Sequence, residues 1–159
     1  MKEMLDLCYS RDHVEARRID VFLPEGSASG AAILWIHGGG FTGGGRHQGR
    51  EVCCHCAGLG EVCASAGNRF WPECKFPAWV ADVRLAMAWL PGRAGEYGFD
   101  AARVAAAGSS AGGYLAMMLT TIGPGDGLAA TAELGLADTR PRAAVLYCPA
   151  TTMHDADRS

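Results

Sequence analysis

Arg103 to Gly113 reads RVAAAGSSAGG. Arg103 to Gly108 is a strand candidate, and Ala111 to Thr121 reads as a helix. Between them, Gly108-Ser109-Ser110-Ala111-Gly112 fits G-x-S-x-G with Ser110 at the centre. A strand running straight into a helix leaves room only for a tight turn. Such a turn exposes the Ser110 hydroxyl at the carboxyl edge of a sheet. Gly108 and Gly112 are required because a Cβ at either position would clash with the crowded turn. The Ala111 N–H then sits at a helix N-terminus, where the backbone dipole favours negative charge. Ser109 precedes the turn and does not fit the central position.

A second motif lies upstream. Ala31 to His37 (AAILWIH) is a continuous apolar run, as expected of a strand covered on both faces. His37-Gly38-Gly39-Gly40-Phe41 follows it and opens a loop to Gly45. Glycines allow close backbone approach to a ligand and turn N–H groups toward it. The loose G-x-G-x-x-G at Gly38, Gly40 and Gly43 does not open a helix, and no phosphate-binding Lys-Ser/Thr pair follows. Nucleotide binding is therefore a weak reading.

The rest of the chain alternates strands and helices. Arg18 to Leu23 reads as a strand, Glu51 to Gly60 as a short helix and Glu61 to Ala66 as a buried strand. Pro77 opens a helix in which Val80, Val83, Met87 and Leu90 share one face, before Pro91-Gly92 interrupts it. Gly123 to Gly127 is a loop, and Ala143 to Cys148 is a last buried-looking strand. This order predicts an α/β fold with a mainly parallel sheet and helices on both faces.

Composition bounds the alternatives. The 159 residues suit one domain, with 49% hydrophobic and 19% charged residues. The 22 glycines cluster without a Gly-X-Y period, which excludes collagen. A net charge of -3 with only 14 Lys and Arg argues against a nucleic-acid partner. No stretch reads as membrane-spanning, and Met1 to Ser10 lacks the apolar core of a secretory leader. The seven cysteines then read as free thiols of a cytoplasmic protein. Cys53-Cys54-His55-Cys56 has no second ligand pair along the chain, so small apolar side chains on a helix are favoured over a metal site. No cofactor is expected.

The two glycine motifs and Arg69-Phe70-Trp71-Pro72-Glu73-Cys74-Lys75-Phe76-Pro77-Ala78 together resemble the α/β-hydrolase esterases. The likeness is to the hormone-sensitive-lipase-like carboxylesterases and the feruloyl/acetyl-xylan-esterase-like branch. Asp82-Val83, Trp89-Leu90 and Tyr97-Gly98-Phe99-Asp100 followed by Arg103-Val104 continue it in order, from about Asp20 to about Met153. Asn68 departs from the tyrosine common before the arginine. The resemblance implies that Ser110 is a nucleophile and that Gly39, Gly40 and Ala111 donate to an oxyanion. It implies a small-molecule ester substrate. Glu73 is expected as a loop hydrogen-bond acceptor and Asp82 as a helix-start charge. His37 is expected to position the loop, because it precedes Ser110 whereas this fold orders its triad as serine, acid, histidine.

The triad acid and base are not evident. Only His154 follows Ser110, with Asp155 beside it and Asp126 or Asp138 as conceivable acids. They read instead as loop residues. The apolar strand Ala143 to Cys148 would also form an uncovered sheet edge, as if more chain should follow. The expectation is the N-terminal portion of an α/β-hydrolase domain, incomplete at its C-terminus and nearly inactive alone. Its exposed edge offers a surface for dimerisation. The alternatives are a non-catalytic pseudo-hydrolase that binds a ligand or partner, and a serine peptidase of the same fold.

Overall fold

The computed structural model describes residues 1–151. The chain runs through β1 (Lys2–Cys8), β2 (Arg18–Leu23), β3 (Ala32–Ile36), α1 (Arg50–Gly58), β4 (Val62–Ala66) and α2 (Ala78–Trp89). It continues through α3 (Ala94–Tyr97), β5 (Val104–Ser109), α4 (Ala111–Thr121) and β6 (Ala143–Tyr147). The strands form one sheet in the order β1-β2-β4-β3-β5-β6. β4, β3, β5 and β6 are parallel to one another, while β1–β2 and β2–β4 are antiparallel.

The side-chain period of two sorts the strands into two cores. Ala32, Leu34 and Ile36 of β3, with Val62, Ala64 and Ala66 of β4, face α2 and α4. Ile33, Trp35 and Cys63 face the other way, onto Cys53 and Ala57 of α1 and Phe22 of β2. Strands covered on both sides need no polar alternation, which is why β3 is an unbroken apolar run and β4 is interrupted only by the small, buried Ser65.

Three features depart from the expected elements. β1 is a strand that the sequence pattern conceals. Its register shifts between Met4 and Leu7, and Asp6 takes a positive φ of 64°. That bulge breaks the alternation by which a strand is recognised. The Asp6 N–H turns aside to Asp20 Oδ1 at 2.8 Å. Second, Pro77 stands just before α2 rather than inside its first turn. Third, α2 buries far more than one face: every residue from Trp79 to Met87 is buried. The sheet covers one side. The segment after α4 covers another, held by Arg84, whose Nη1 donates to the Leu128 carbonyl at 2.6 Å and whose Nε donates to Thr139 Oγ1 at 3.2 Å.

At the far edge, β6 pairs only with β5 among the described residues, and its Val145 and Tyr147 are 62% and 68% exposed. Among the described residues, no helix is long and apolar enough to cross a membrane.

Candidate functional site

Ser110 lies between the end of β5 and the first residue of α4. Its backbone has φ 52° and ψ -119°, a conformation that L-residues rarely adopt. Three backbone bonds hold it there. The Ser110 N–H donates to the Tyr147 carbonyl at 3.0 Å, and the Ser110 carbonyl accepts from Tyr114 at 3.0 Å and Ala150 at 3.2 Å. The flanking glycines make the turn sterically feasible. A Cβ on Gly108 would run into the Gly112 carbonyl, and one on Gly112 into the carbonyls of Ile36 and His37. The side chain of Ser110 is left exposed above the carboxyl ends of β3 and β5.

The glycine loop after β3 lies against this turn. A Cβ on Gly38 would stand 3.3 Å from the Ser110 Cβ, so the two backbones are nearly in contact. Gly39 and Gly40 have φ values of 132° and 63° and are exposed. A Cβ on Gly39 would strike the Gly43 carbonyl. Among the described residues, nothing accepts the N–H of Gly39, Gly40 or Ala111. Backbone donors left open beside an exposed hydroxyl are what a developing oxyanion requires.

His37 is 3% exposed and its Nδ1 lies 2.7 Å from the Gly38 carbonyl. Its ring packs edge-on to Phe70 with centroids 5.6 Å apart. Burial pushes its imidazole below the usual histidine value. The side chain thus belongs to the support of the loop, and among the described residues no hydrogen bond joins a histidine to the Ser110 hydroxyl. Asp138 pairs with Arg140, whose hydrogen bonds draw that carboxyl down to about 2. Asp126 accepts the Leu128 N–H at 3.0 Å within its own loop. His154 and Asp155 lie outside the described residues.

Asp82 is not a helix-start charge. It lies inside α2 and is fully buried. Its Oδ1 accepts from Arg17 Nε and from Arg69 Nη2, both at 2.8 Å, and its Oδ2 accepts the Arg69 N–H at 2.9 Å. Arg17 pairs in turn with Asp12. This carboxylate therefore anchors the loop between β4 and α2. The same loop supports the glycine loop, since the Trp71 N–H donates to the Phe41 carbonyl at 2.8 Å. Phe41 itself stacks on Trp79 at 5.4 Å and meets Tyr114 edge-on at 5.7 Å. Glu73, by contrast, is exposed, with no side-chain hydrogen bond among the described residues. Asn68 is buried, and its Nδ2 donates to the Arg69 carbonyl at 2.8 Å. The sequence offered a trace of the Arg69–Asp82 pair in the resemblance. Nothing in it pointed to Arg17, 65 residues away from Asp82.

Residues 19–139, which contain both the glycine loop and the Ser110 turn, match the BD-FAE family model. The chain belongs to the BD-FAE family. This BD-FAE chain is 33% identical over 148 residues to a Mycobacterium tuberculosis protein named "Probable carboxylic ester hydrolase LipM", covering 89% of this chain and 33% of that one. It is 36% identical over 124 residues to the ethyl acetate hydrolase of Pseudomonas putida, covering 77% of this chain and 36% of the relative. The butyrate-bound esterase Est2 of Thermogutta terrifontis superposes with a TM-score of 0.75 at 30% identity, over 91% of this chain and 52% of that one. The fold is that of the α/β hydrolases. The chain spans about a third of the length of these curated relatives.

Proposed function

We propose that Ser110 is the nucleophile of a carboxylic-ester hydrolase acting on small acyl esters. The observation that carries the reading is the backbone of Ser110 at φ 52°, set against Gly38 and beside three open N–H groups. In this mechanism the Ser110 Oγ attacks the ester carbonyl. The N–H groups of Gly39, Gly40 and Ala111 receive the oxygen as it becomes negative, and the alcohol leaves to give an acyl-enzyme that water then cleaves. The small-acyl preference is supported by relatives named for ethyl acetate and bound to butyrate.

A histidine oriented by a carboxylate must carry the proton from Ser110 to the leaving alcohol. His37 is committed to the loop, so the described residues leave that role unfilled. We therefore expect slow acylation and little turnover from these 159 residues alone. The test is incubation with p-nitrophenyl butyrate or a reactive phosphonate, followed by mass mapping of the adduct. The expected result is an adduct on Ser110 that disappears in Ser110→Ala. An adduct elsewhere, or ester binding equally tight in Ser110→Ala with no adduct in either chain, would favour a non-catalytic binding protein. Rapid turnover lost in Ser110→Ala would refute the expected low activity while supporting the nucleophile.

A further inference from the structure

We propose that Cys56 and Cys63 are a site of oxidative modification, at which a peroxide joins α1 to β4 by a disulfide. Three thiols converge where these elements pack, on the sheet face covered by α1. Cys53 and Cys56 stand one helical turn apart on α1, a spacing that places them on one side of the helix. Cys63 lies in β4 beneath them, with its Sγ 3.0 Å from that of Cys53. Cys56, partly buried, packs against the same cluster. The connection between the two elements is tight: the Glu61 N–H donates to the Cys56 carbonyl at 3.1 Å. That bond brings the Cys56 backbone close to the start of β4.

Exposure distinguishes the three. Cys53 and Cys63 are fully buried and closed to solvent, whereas Cys56 is partly exposed. The hydrogen bond from Cys63 draws the Cys56 thiol down to about 6, against the opposing effect of burial. The thiolate is the reactive form of cysteine, so an accessible thiolate beside a second sulfur is the arrangement of an oxidisable pair. Cys54 also packs against this cluster, but at two positions from Cys56 it leaves the helix in a different direction.

The chemistry balances with hydrogen peroxide as oxidant. The Cys56 thiolate attacks one peroxide oxygen. An S–O bond forms, the O–O bond breaks, and the departing hydroxide takes a proton to become water. The Cys63 sulfur then attacks the sulfenic sulfur of Cys56. The S–S bond forms, the S–O bond breaks, and hydroxide leaves with the Cys63 proton as a second water. Two electrons pass from the two thiols to the peroxide.

The experiment exposes the reduced 159-residue chain to hydrogen peroxide, blocks remaining thiols and cleaves after glutamate. Cleavage after Glu61 places Cys56 and Cys63 on separate peptides. The expected product is a cross-linked pair lighter by two hydrogens, assigned by fragmentation to Cys56 and Cys63 and reversed by dithiothreitol. It should vanish in Cys56→Ser and persist in Cys53→Ser, with circular dichroism used to check that each variant is folded. The wild-type map is decisive even if a variant fails to fold. Oxidation of Cys56 to sulfinic acid without a cross-link would overturn the proposal. So would an unmodified cluster, or a cross-link that runs through Cys53 or Cys54.

Discussion

His37 shows how much of the site depends on single buried groups. Its imidazole lies under Phe70 with one nitrogen on the Gly38 carbonyl. Burial lowers its affinity for a proton below that of a free histidine, which titrates near ~6.5. The unfolded chain therefore binds more protons than the folded chain in this range, and stability rises with pH. The contribution is fully present above the unfolded value and is lost as pH falls through the lowered folded value. Melting temperatures measured below pH ~6.5 should fall more steeply for the wild type than for His37→Gln. Comparing the two chains removes the background from Cys56, whose titration near 6 overlaps this range. Parallel curves would show that the imidazole is not desolvated. Ser110 carries a different cost, since a non-glycine residue at positive φ stores roughly 1–3 kcal/mol of strain. The three backbone bonds at Ser110 and the packing of Gly108 against Gly112 hold the turn against that strain.

Among the elements, α2 links the core to the site. Its apolar residues Val80, Val83 and Met87, with Leu90 just past its end, fill the main core, while Asp82 on the same helix holds Arg17 and Arg69. Removing one partner of a buried ion pair leaves the others uncompensated, at a cost of about 3–5 kcal/mol. Asp82→Asn should lower the unfolding free energy measured in urea by a corresponding amount, toward the lower end because Asp12 still compensates Arg17. A loss under ~1 kcal/mol would mean that both guanidinium groups regain water, as exposed pairs do. Because Arg69 and Trp71 belong to one loop, the same variant should also loosen Phe41 and the glycines before it.

On the scale of the whole molecule, the described residues seal the sheet at one side and leave β6 as its edge at the other. β1 closes one edge with charges: Arg50 makes two bonds of 2.6 and 2.7 Å to Glu3, and Arg46 bridges Asp6 and Asp20. Among the described residues no such charges protect β6, and its exposed residues Val145, Leu146 and Tyr147 are apolar. An unpaired strand with an apolar face is a template for a second strand. We expect these 159 residues to self-associate with rising concentration in sedimentation velocity. Val145→Lys, which places a charge on the edge, should reduce the association. If wild type and variant sediment alike as monomers, β6 does not drive association.

Local residue patterns were sufficient for much of this architecture. Parallel strands buried on both faces must be continuously apolar, so β3, β4 and β5 were legible from short runs. The Ser110 turn was legible because only glycine fits at 108 and 112, whatever surrounds them. β1 was concealed because its bulge breaks the period of two, and α2 showed one apolar face although it is buried all round. Contacts between distant segments were decided only by the fold. Arg17 finds Asp82, Arg84 finds Thr139, Gly38 meets Ser110, and Cys63 comes under Cys53 and Cys56 because the sheet order brings their strands and helices together. A charge in a sequence carries no mark of its partner. Pairing depends on the three-dimensional path of the whole chain, whereas periodicity and turn chemistry depend on neighbours a few residues away.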